Sequence, residues 1–155
     1  MPKTSPTSED ERWIARCLEL AREAAANDEV PVGAIVVIDG EVVGVGRNRV
    51  EELRSPLAHA EMEALQAALA KMGEKRLPDA ELYSTLEPCF LCAGAILHTR
   101  VRRVVFGARD PKFGAVRSLG NVLEDERLNH RCVVLEGVQA DESAELLRSF
   151  FRKKR

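Results

Sequence analysis

Two short segments contain residue types that bind metals and transfer protons. One residue separates His59 from Glu61, and two residues separate Cys89 from Cys92. On the first turn of a helix, the spacing of the cysteines directs both sulfur atoms to one side. His59 and Glu61 would diverge on a helix body, but at a helix end both can converge on a point beyond the terminus. The spacing therefore predicts a metal site between two helix N-termini, whose positive ends stabilise thiolates.

Zinc is the metal that this set of side chains favours. Two thiolates and one imidazole provide three protein ligands, which leaves the fourth position of a tetrahedral zinc ion for water. An open position is typical of catalytic zinc, and Glu61 beside it would act as a general base and acid. A closed structural site needs a fourth ligand, and none of the remaining candidates has paired spacing: Cys17, Cys132, His98 and His130. A dithiol redox pair is a further alternative, although the β–turn–α setting near the chain start is missing.

Helices and strands that would position these residues alternate along the chain. Ser8–Glu11 fits a capping box, and the apolar spacing after it predicts a helix over residues 8–26, with Cys17 in the core. Asp39-Gly40 between two β-rich runs predicts a hairpin. Further helices are predicted over residues 57–72, 89–98 and 141–152, strands over 82–85, 104–106 and 132–135, and a long polar connection over 108–129 with a helical turn near 118–123. The last helix is expected to bury Ala144, Leu147 and Phe151. The order indicates an α/β sandwich on a mixed sheet.

The length and composition indicate one globular domain inside the cell. We expect residues 1–7 to form a flexible arm and residues 8–155 to form a single domain with a basic tail. Apolar residues make up 45% and charged residues 31% of the 155, which excludes disordered and fibrous classes. No apolar run approaches the roughly 20 residues of a membrane span, and the N-terminus does not resemble a secretory signal. Four cysteines are too few for a disulfide scaffold, so we predict a cytoplasmic protein.

Basic residues are concentrated in two segments of a chain whose formal net charge is -2. From residue 148 onward there are five basic and no acidic side chains. The second segment, residues 100–117, contains six basic residues and only one acidic residue, Asp110. The basic residues are Arg100, Arg102, Arg103, Arg109, Lys112 and Arg117. Such segments favour a polyanionic partner. The alternative is a solvated face with a frayed chain end.

His-x-Glu followed by Pro-Cys-x-x-Cys is the pattern of zinc-dependent nucleobase deaminases, a group that includes bacterial tRNA deaminases. Further segments extend the resemblance in order along the chain: Glu29–Ala34, Asn48, Thr85–Cys89, Cys92–Ala95, Phe106–Asp110, Asn129–Arg131 and Phe150–Arg152. With these residues the sequence resembles the bacterial tRNA-specific adenosine deaminases, within the cytidine/deoxycytidylate deaminase superfamily, over nearly the whole chain. It departs at Phe90-Leu91, where the family commonly has Pro-Met. These two side chains are not metal ligands.

The resemblance implies a three-layer α/β/α sandwich with a central mixed five-stranded sheet, of the cytidine-deaminase-like class. It implies hydrolytic deamination of adenosine to inosine at wobble position 34 of an arginine tRNA, by a zinc-bound hydroxide and a proton shuttle through Glu61. The implied cofactor is one zinc ion per subunit, held by His59, Cys89 and Cys92. The implied partners are the tRNA anticodon stem-loop and a second copy of the chain in a homodimer, with no membrane.

The resemblance also implies substrate-binding residues. Asn48 would hydrogen-bond the base, and the small Ala60 would let the purine approach the backbone. The pocket walls would be the turn Glu29-Val30-Pro31 and the segment Leu86-Glu87-Pro88. Flanking nucleotides need contacts of their own, and the candidates are Asp110, His130, Phe151 and Arg152. Each of the first three has a structural alternative: a turn residue before Pro111, a loop residue and a core residue, respectively.

Two other functions use the same motifs. A deaminase of free bases or nucleosides would share the zinc chemistry but would have no phosphates to neutralise, so the basic segments favour RNA. A non-catalytic zinc module that binds RNA would have no use for a general base beside the metal, so Glu61 favours an enzyme.

Overall fold

The structure is a computed structural model that describes residues 3–154. Its helices are α1 (Ser8–Ala26), α2 (Val50–Leu53), α3 (Ala60–Met72), α4 (Phe90–Thr99) and α5 (Ala140–Lys153), and a 3-10 helix spans Val122–Glu124. Its strands are β1 (Gly33–Ile38), β2 (Glu41–Arg47), β3 (Glu81–Leu86), β4 (Arg103–Ala108) and β5 (Val133–Leu135). Among the helices of this range, none is long and apolar enough to cross a membrane.

The strands form one mixed sheet in the order β2-β1-β3-β4-β5. β1 is antiparallel to both β2 and β3, whereas β3, β4 and β5 are parallel to one another. The predicted hairpin is present, and Asp39 and Gly40 at its turn have φ angles of 50° and 77°. Positive φ at both positions matches the twist of the flanking strands. The five-stranded mixed sheet that the resemblance implied is confirmed.

Helices cover both faces of the sheet. Because side chains alternate along a strand, Val36 and Val104 point into the core beneath α3 and α4, whereas Ile35 and Val105 point into the core beneath α1 and α5. Two apolar cores on either side of one sheet make the three-layer α/β/α sandwich, which is also as predicted.

Close packing of β2 against α3 sets the position of the N-terminus of α3. A Cβ atom on Gly44 would lie 2.3 Å from the carbonyl oxygen of Ala64, and one on Gly46 would lie 2.2 Å from that of Ala60. Only glycine permits this approach of helix to strand. As a result, the start of α3 lies beside the end of β2, which Asn48 follows.

Two helix starts differ from the sequence prediction. The N-cap of α1 is Thr7, not Ser8, and Asp10 takes the place predicted for Glu11 in the capping box. The pair Thr7 and Asp10 and the pair Ser8 and Glu11 both have the spacing of a capping box. The carboxylate of Asp10 also pairs with Arg103, and this contact favours the first pair. α3 begins at Ala60 rather than near residue 57, and the short helix α2 precedes it.

The predicted burial of α5 is wrong. Phe151 is 46% exposed, and Ala144 and Leu147 are only partly buried. The spacing of apolar residues correctly identified one face of the helix, but at the end of α5 that face borders an open cleft instead of the core.

The segment predicted as a flexible arm lies partly outside the described residues, which begin at Lys3. The carbonyl oxygen of Lys3 accepts a hydrogen bond of 2.8 Å from Nε of Arg103. Thr7 caps α1. These two contacts attach the described part of the segment to β4 and to α1.

Candidate active site

Two helix N-termini meet at a group of three metal-binding side chains. His59 and Cys89 are the N-cap residues of α3 and α4, and both have extended backbone. Nδ1 of His59 lies 3.5 Å from Sγ of Cys89 and 3.5 Å from Sγ of Cys92. The ligand atoms of the three residues all lie within 4.8 Å of one another. The predicted convergence of the two motifs is therefore observed.

The two thiols have very different acidities. Hydrogen bonding to Cys92 lowers the pKa of Cys89 to about 4, with His59 contributing in the same direction. The bond to Cys89 raises the pKa of Cys92, and burial adds to this rise. These contacts favour the thiolate form of Cys89, which is the form that binds metal ions.

The donor set fits a zinc ion. One imidazole nitrogen and two sulfurs are the preferred donors of zinc, and three protein donors are typical of catalytic sites. Within residues 3–154, the group has only these three members. The other buried thiols lie elsewhere, with Cys17 donating to the carbonyl of Tyr83 and Cys132 to that of Val101. A closed four-ligand site is therefore not formed by the residues that the structure describes.

Glu61 lies in the first turn of α3 and is 4% exposed. Burial raises the pKa of Glu61 to about 7. A carboxyl group with a pKa near neutrality can both accept and return a proton. Glu61 is not a member of the metal-binding group, so its carboxylate can transfer a proton instead of binding the metal.

His59, Glu61 and Cys89 line an open cleft with a volume of about 1360 Å³. The predicted residues that line it are His59, Glu61 and Cys89 together with Glu29, Val30, Asn48, Ala60, Leu86, Asp110 and Phe151. Four other predicted residues are not in the lining: the metal-binding Cys92, and the substrate-binding candidates Pro88, His130 and Arg152. Pro88 is buried, Nε2 of His130 lies 2.6 Å from the carbonyl oxygen of Val101, and Arg152 pairs with Glu145.

Asn48 lines the cleft and contains an unsatisfied polar atom. Its backbone N–H donates to the carbonyl of Val32, which fixes the start of the segment after β2. The residue is 8% exposed, and its Oδ1 is buried without a hydrogen-bond partner among the described residues. Because a buried, unpaired acceptor costs free energy, this atom is suited to a bound ligand.

Comparison with known proteins identifies the family. The family model of the MafB19-like deaminases matches residues 8–155. The chain is 45% identical over 148 residues to the tRNA-specific adenosine deaminase of Agrobacterium fabrum, covering 96% of this chain and 97% of that protein. The chain belongs to the tRNA-specific adenosine deaminase family. It is a deaminase, and its His/Cys/Cys group fits the zinc dependence expected from its sequence.

Solved structures place the fold in the same family. A structure from a study of A-to-I editing by tRNA:A34 deaminases has a TM-score of 0.84 and 43% identity, covering 88% of this chain and 99% of that one. A guanine deaminase from Nitrosomonas europaea has a TM-score of 0.80 at 29% identity, covering 97% and 87% of the two chains. The cytidine-deaminase-like fold is therefore shared by the tRNA-specific adenosine deaminase family and by this guanine deaminase.

Glu29 lines the cleft, as the resemblance to the tRNA-specific adenosine deaminases implied, and it also has a structural contact. It is 2% exposed, and its two carboxylate oxygens accept hydrogen bonds of 3.0 and 2.8 Å from the backbone N–H groups of Glu51 and Glu52. Both oxygens are thus engaged by the first turn of α2. Glu29 lines the cleft and also holds α2 in place.

Sequence reasoning named Glu87 only as part of a pocket wall and Lys112 only as part of a basic segment, and it missed Phe113. Glu87 is 1% exposed and binds backbone N–H groups of the loop that follows β4, whereas Phe113, on that loop, is 66% exposed. All three residues line the cleft. A signal was present for Glu87, since an acid directly after a buried strand and two residues before a metal ligand is unusual.

The basic segment near residues 100–117 is not a continuous positive surface in this member of the tRNA-specific adenosine deaminase family. Four of its basic residues pair with carboxylates: Arg102 and Arg103 with Glu81, and Arg109 and Arg117 with Glu136. In the tail, Arg148 and Arg152 pair with Glu145, and Lys154 with Asp28. The charge argument for RNA is correspondingly weaker than the sequence suggested.

Proposed function

We propose that this protein hydrolyses adenosine to inosine at wobble position 34 of a tRNA, with the anticodon stem-loop of an arginine tRNA as substrate. The observation that supports an RNA substrate most directly is the size and openness of the cleft. Its volume of about 1360 Å³ exceeds the roughly 300–1,000 Å³ of pockets that enclose a small ligand. The exposed rings of Phe113 and Phe151 at its walls are suited to stacking on unpaired bases.

His59, Cys89 and Cys92 would hold one zinc ion per chain. When bound, zinc supplies the activation of a water molecule for attack near neutral pH. Other residues of the site position the substrate and the carboxylate that carries the proton. Ala60, between His59 and Glu61, is fully buried and adds no bulk where the start of α3 meets the cleft.

Glu61 is the proton carrier in the proposed reaction. Its carboxylate accepts a proton from the attacking water and delivers it to N1 of adenine as the C6–O bond forms. Glu61 then accepts the remaining proton from the new C6 hydroxyl group and delivers it to the departing amine as the C6–N bond breaks and the C6 carbonyl forms. Adenosine and water thus give inosine and ammonia. Asn48 would orient the purine, because its unpaired Oδ1 can accept a hydrogen bond from the base.

Several other features belong to the same proposal. We propose that the protein acts as a homodimer in the cytoplasm, where tRNA is its partner. Large apolar side chains near the start of α4 support an interface between copies: Phe90 is 52%, Leu91 38% and Leu119 57% exposed. Sedimentation equilibrium is expected to give twice the mass of the 17.2 kDa chain.

The decisive experiment is deamination by the purified, zinc-loaded protein. An arginine-tRNA anticodon stem-loop is assayed beside free guanine, cytosine, adenosine and cytidine. We expect inosine at position 34 and an equimolar release of ammonia from the stem-loop. Turnover of guanine or another free compound in place of the stem-loop would overturn the RNA substrate and favour the function of the guanine deaminase relative.

Metal analysis tests the cofactor separately. We expect one zinc ion per chain, loss of activity on chelation and recovery on adding zinc. Cys92→Ser should lower the zinc content, whereas Cys132→Ser, which changes a thiol outside the site, should leave it unchanged. Equal zinc contents in the two variants would contradict the ligand assignment.

A further inference from the structure

We propose that Glu87 is a positioning residue for the substrate, because its carboxylate anchors the loop of residues 110–118 that forms one wall of the cleft. The substrate in this inference is the RNA of the proposed function. Glu87 itself would touch no reacting atom. It would act by holding the loop where the loop can contact the nucleotides.

Five donors converge on the carboxylate of Glu87. Oε1 accepts from the backbone N–H of Asp110 at 2.9 Å and from the hydroxyl of Ser118. Oε2 accepts from the backbone N–H groups of Val116, Arg117 and Ser118 at 3.0, 2.7 and 2.9 Å. The two oxygens therefore connect the beginning of the loop to its end.

The anchor is buried and depends on backbone dipoles. Glu87 is 1% exposed, and the hydrogen bonds that it accepts come from N–H groups and one hydroxyl within the described residues. Successive N–H groups that surround an anion form a strong, geometrically specific contact. A neutral side chain of the same shape could not reproduce it.

The loop passes directly over this carboxylate at Gly114. A Cβ atom at this position would lie 2.3 Å from Cδ of Glu87, and its three nearest atoms would all belong to that carboxylate. The backbone of Gly114 also forms an isolated bridge with Cys89, and the N–H of Ala115 donates to the carbonyl of Pro88 at 3.0 Å. The loop is thus attached to the segment that ends in a metal ligand.

The anchored loop exposes its polar and aromatic residues to the cleft. Asp110, Lys112 and Phe113 line the cleft, and the carboxylate of Asp110 accepts from the backbone N–H groups of Lys112 and Phe113. This local turn gives the segment its shape, whereas Glu87 fixes where the segment lies. Loosening the anchor should therefore weaken RNA binding while the chemical step continues.

Glu87→Gln is the first test, because the shape of the side chain is kept while one acceptor becomes an NH2 donor that faces N–H donors. In hydrogen exchange, we expect faster exchange of the amides of residues 116–118. We expect KM for the stem-loop to rise about tenfold. kcat should stay within about threefold, and the zinc content should be unchanged. The control Glu74→Gln changes an exposed glutamate after α3 and should alter none of these quantities.

A double-mutant cycle tests the contact itself. Gly114→Ala should raise KM in the native background, because its methyl group collides with the carboxylate. In a Glu87→Ala background the same substitution should cost much less, since the obstructing group is gone. Ser118→Ala, which removes one donor and leaves the backbone contacts, gives a milder variant in case Glu87→Ala does not fold, and a KM rise of about threefold is expected.

The outcomes separate this inference from the proposed function. A wild-type protein that does not deaminate the stem-loop overturns the proposed function. With an active wild type, unchanged exchange and KM in Glu87→Gln overturn the positioning role. A fall in kcat together with zinc loss would also overturn it, because Glu87 would then support the metal site. Additive effects of Gly114→Ala and Glu87→Ala would contradict the contact.

Discussion

Arg103 and Asp10 form a buried, two-pronged ion pair. Nη1 of Arg103 lies 2.8 Å from Oδ1 of Asp10, and Nη2 lies 2.7 Å from Oδ2. Both residues are 1% exposed. Glu81 and the hydroxyl of Tyr83 complete the cluster, which joins the N-terminus of α1 to β3 and β4. An arginine that the sequence placed in a basic segment is thus part of the interior.

Removing one partner of this pair should destabilise the fold strongly. Arg103→Met leaves the carboxylate of Asp10 buried without its cation, and the expected loss in the free energy of unfolding is about 3–5 kcal/mol. Urea denaturation measures the change. Arg102→Met is the control, because Arg102 is partly exposed in its pair with Glu81 and should lose less than about 1 kcal/mol. Similar losses in the two variants would contradict a special role for the buried pair.

The same pair predicts how stability depends on acid pH. Burial alone would raise the pKa of Asp10, but hydrogen bonds from Arg103 and Tyr83 outweigh it and lower the pKa from 3.8 to about 2. Because the folded-state pKa is the lower one, the stabilisation is present above about pH 4 and is lost as the pH falls towards 2. It amounts to about 2 kcal/mol. Asp10→Asn should remove this part of the acid dependence, and an unchanged pH profile would show that other groups cause it.

The metal site was predictable because its geometry is local. The spacing of Cys89 and Cys92, and the position of His59 at a helix start, follow from rules that act within one turn. The convergence of the two motifs also required the sheet topology, which the alternation of strands and helices indicated. The role of Glu87 was not predictable in this way, since its partners lie more than 20 residues further along the chain.

The pairing of charged side chains and the exposure of apolar ones were also less predictable, because they depend on residues that are distant in the sequence. Whether Arg109 is available to a phosphate depends on Glu136, a distant residue that the fold brings to 2.7 Å. The apolar spacing of α5 showed which face of the helix is apolar, but not that Phe151 lies beyond the edge of the core. The pairing of a charge and the burial of a side chain depend on the tertiary structure, whereas the spacing of apolar residues is a property of the local sequence.

Glu61→Gln should abolish turnover while zinc stays bound. Loss of general acid–base catalysis is expected to lower kcat by about 100- to 10,000-fold, and Glu61→Ala should do the same. Glu63→Gln is a matched control, because Glu63 lies in the same helical turn and pairs with Arg49. Single-turnover kinetics and metal analysis give the two readouts. Normal deamination by Glu61→Gln would disprove the proposed proton transfer.

Asn48→Ala should separate activity from stability. Removing the amide deletes the proposed contact with the base, so kcat/KM is expected to fall by about tenfold or more. The same change removes a buried acceptor that has no partner among the described residues, so the free energy of unfolding should stay level or rise by about 1 kcal/mol. A fall in stability together with activity would instead assign Asn48 a structural role.

Lys112→Ala should reduce the salt dependence of RNA binding. Lys112 lies in the cleft wall, whereas neighbouring Arg109 and Arg117 are paired with Glu136, so Lys112 is the residue of this loop best placed to meet a phosphate. Removal of one phosphate-binding charge should lower the slope of log binding constant against log salt by about 0.7–1. Arg127→Ala removes the same charge from a residue outside the cleft lining, where Arg127 pairs with Asp125. Fluorescence anisotropy with a labelled stem-loop measures both slopes, and equal slopes in the two variants would show that Lys112 does not bind a phosphate.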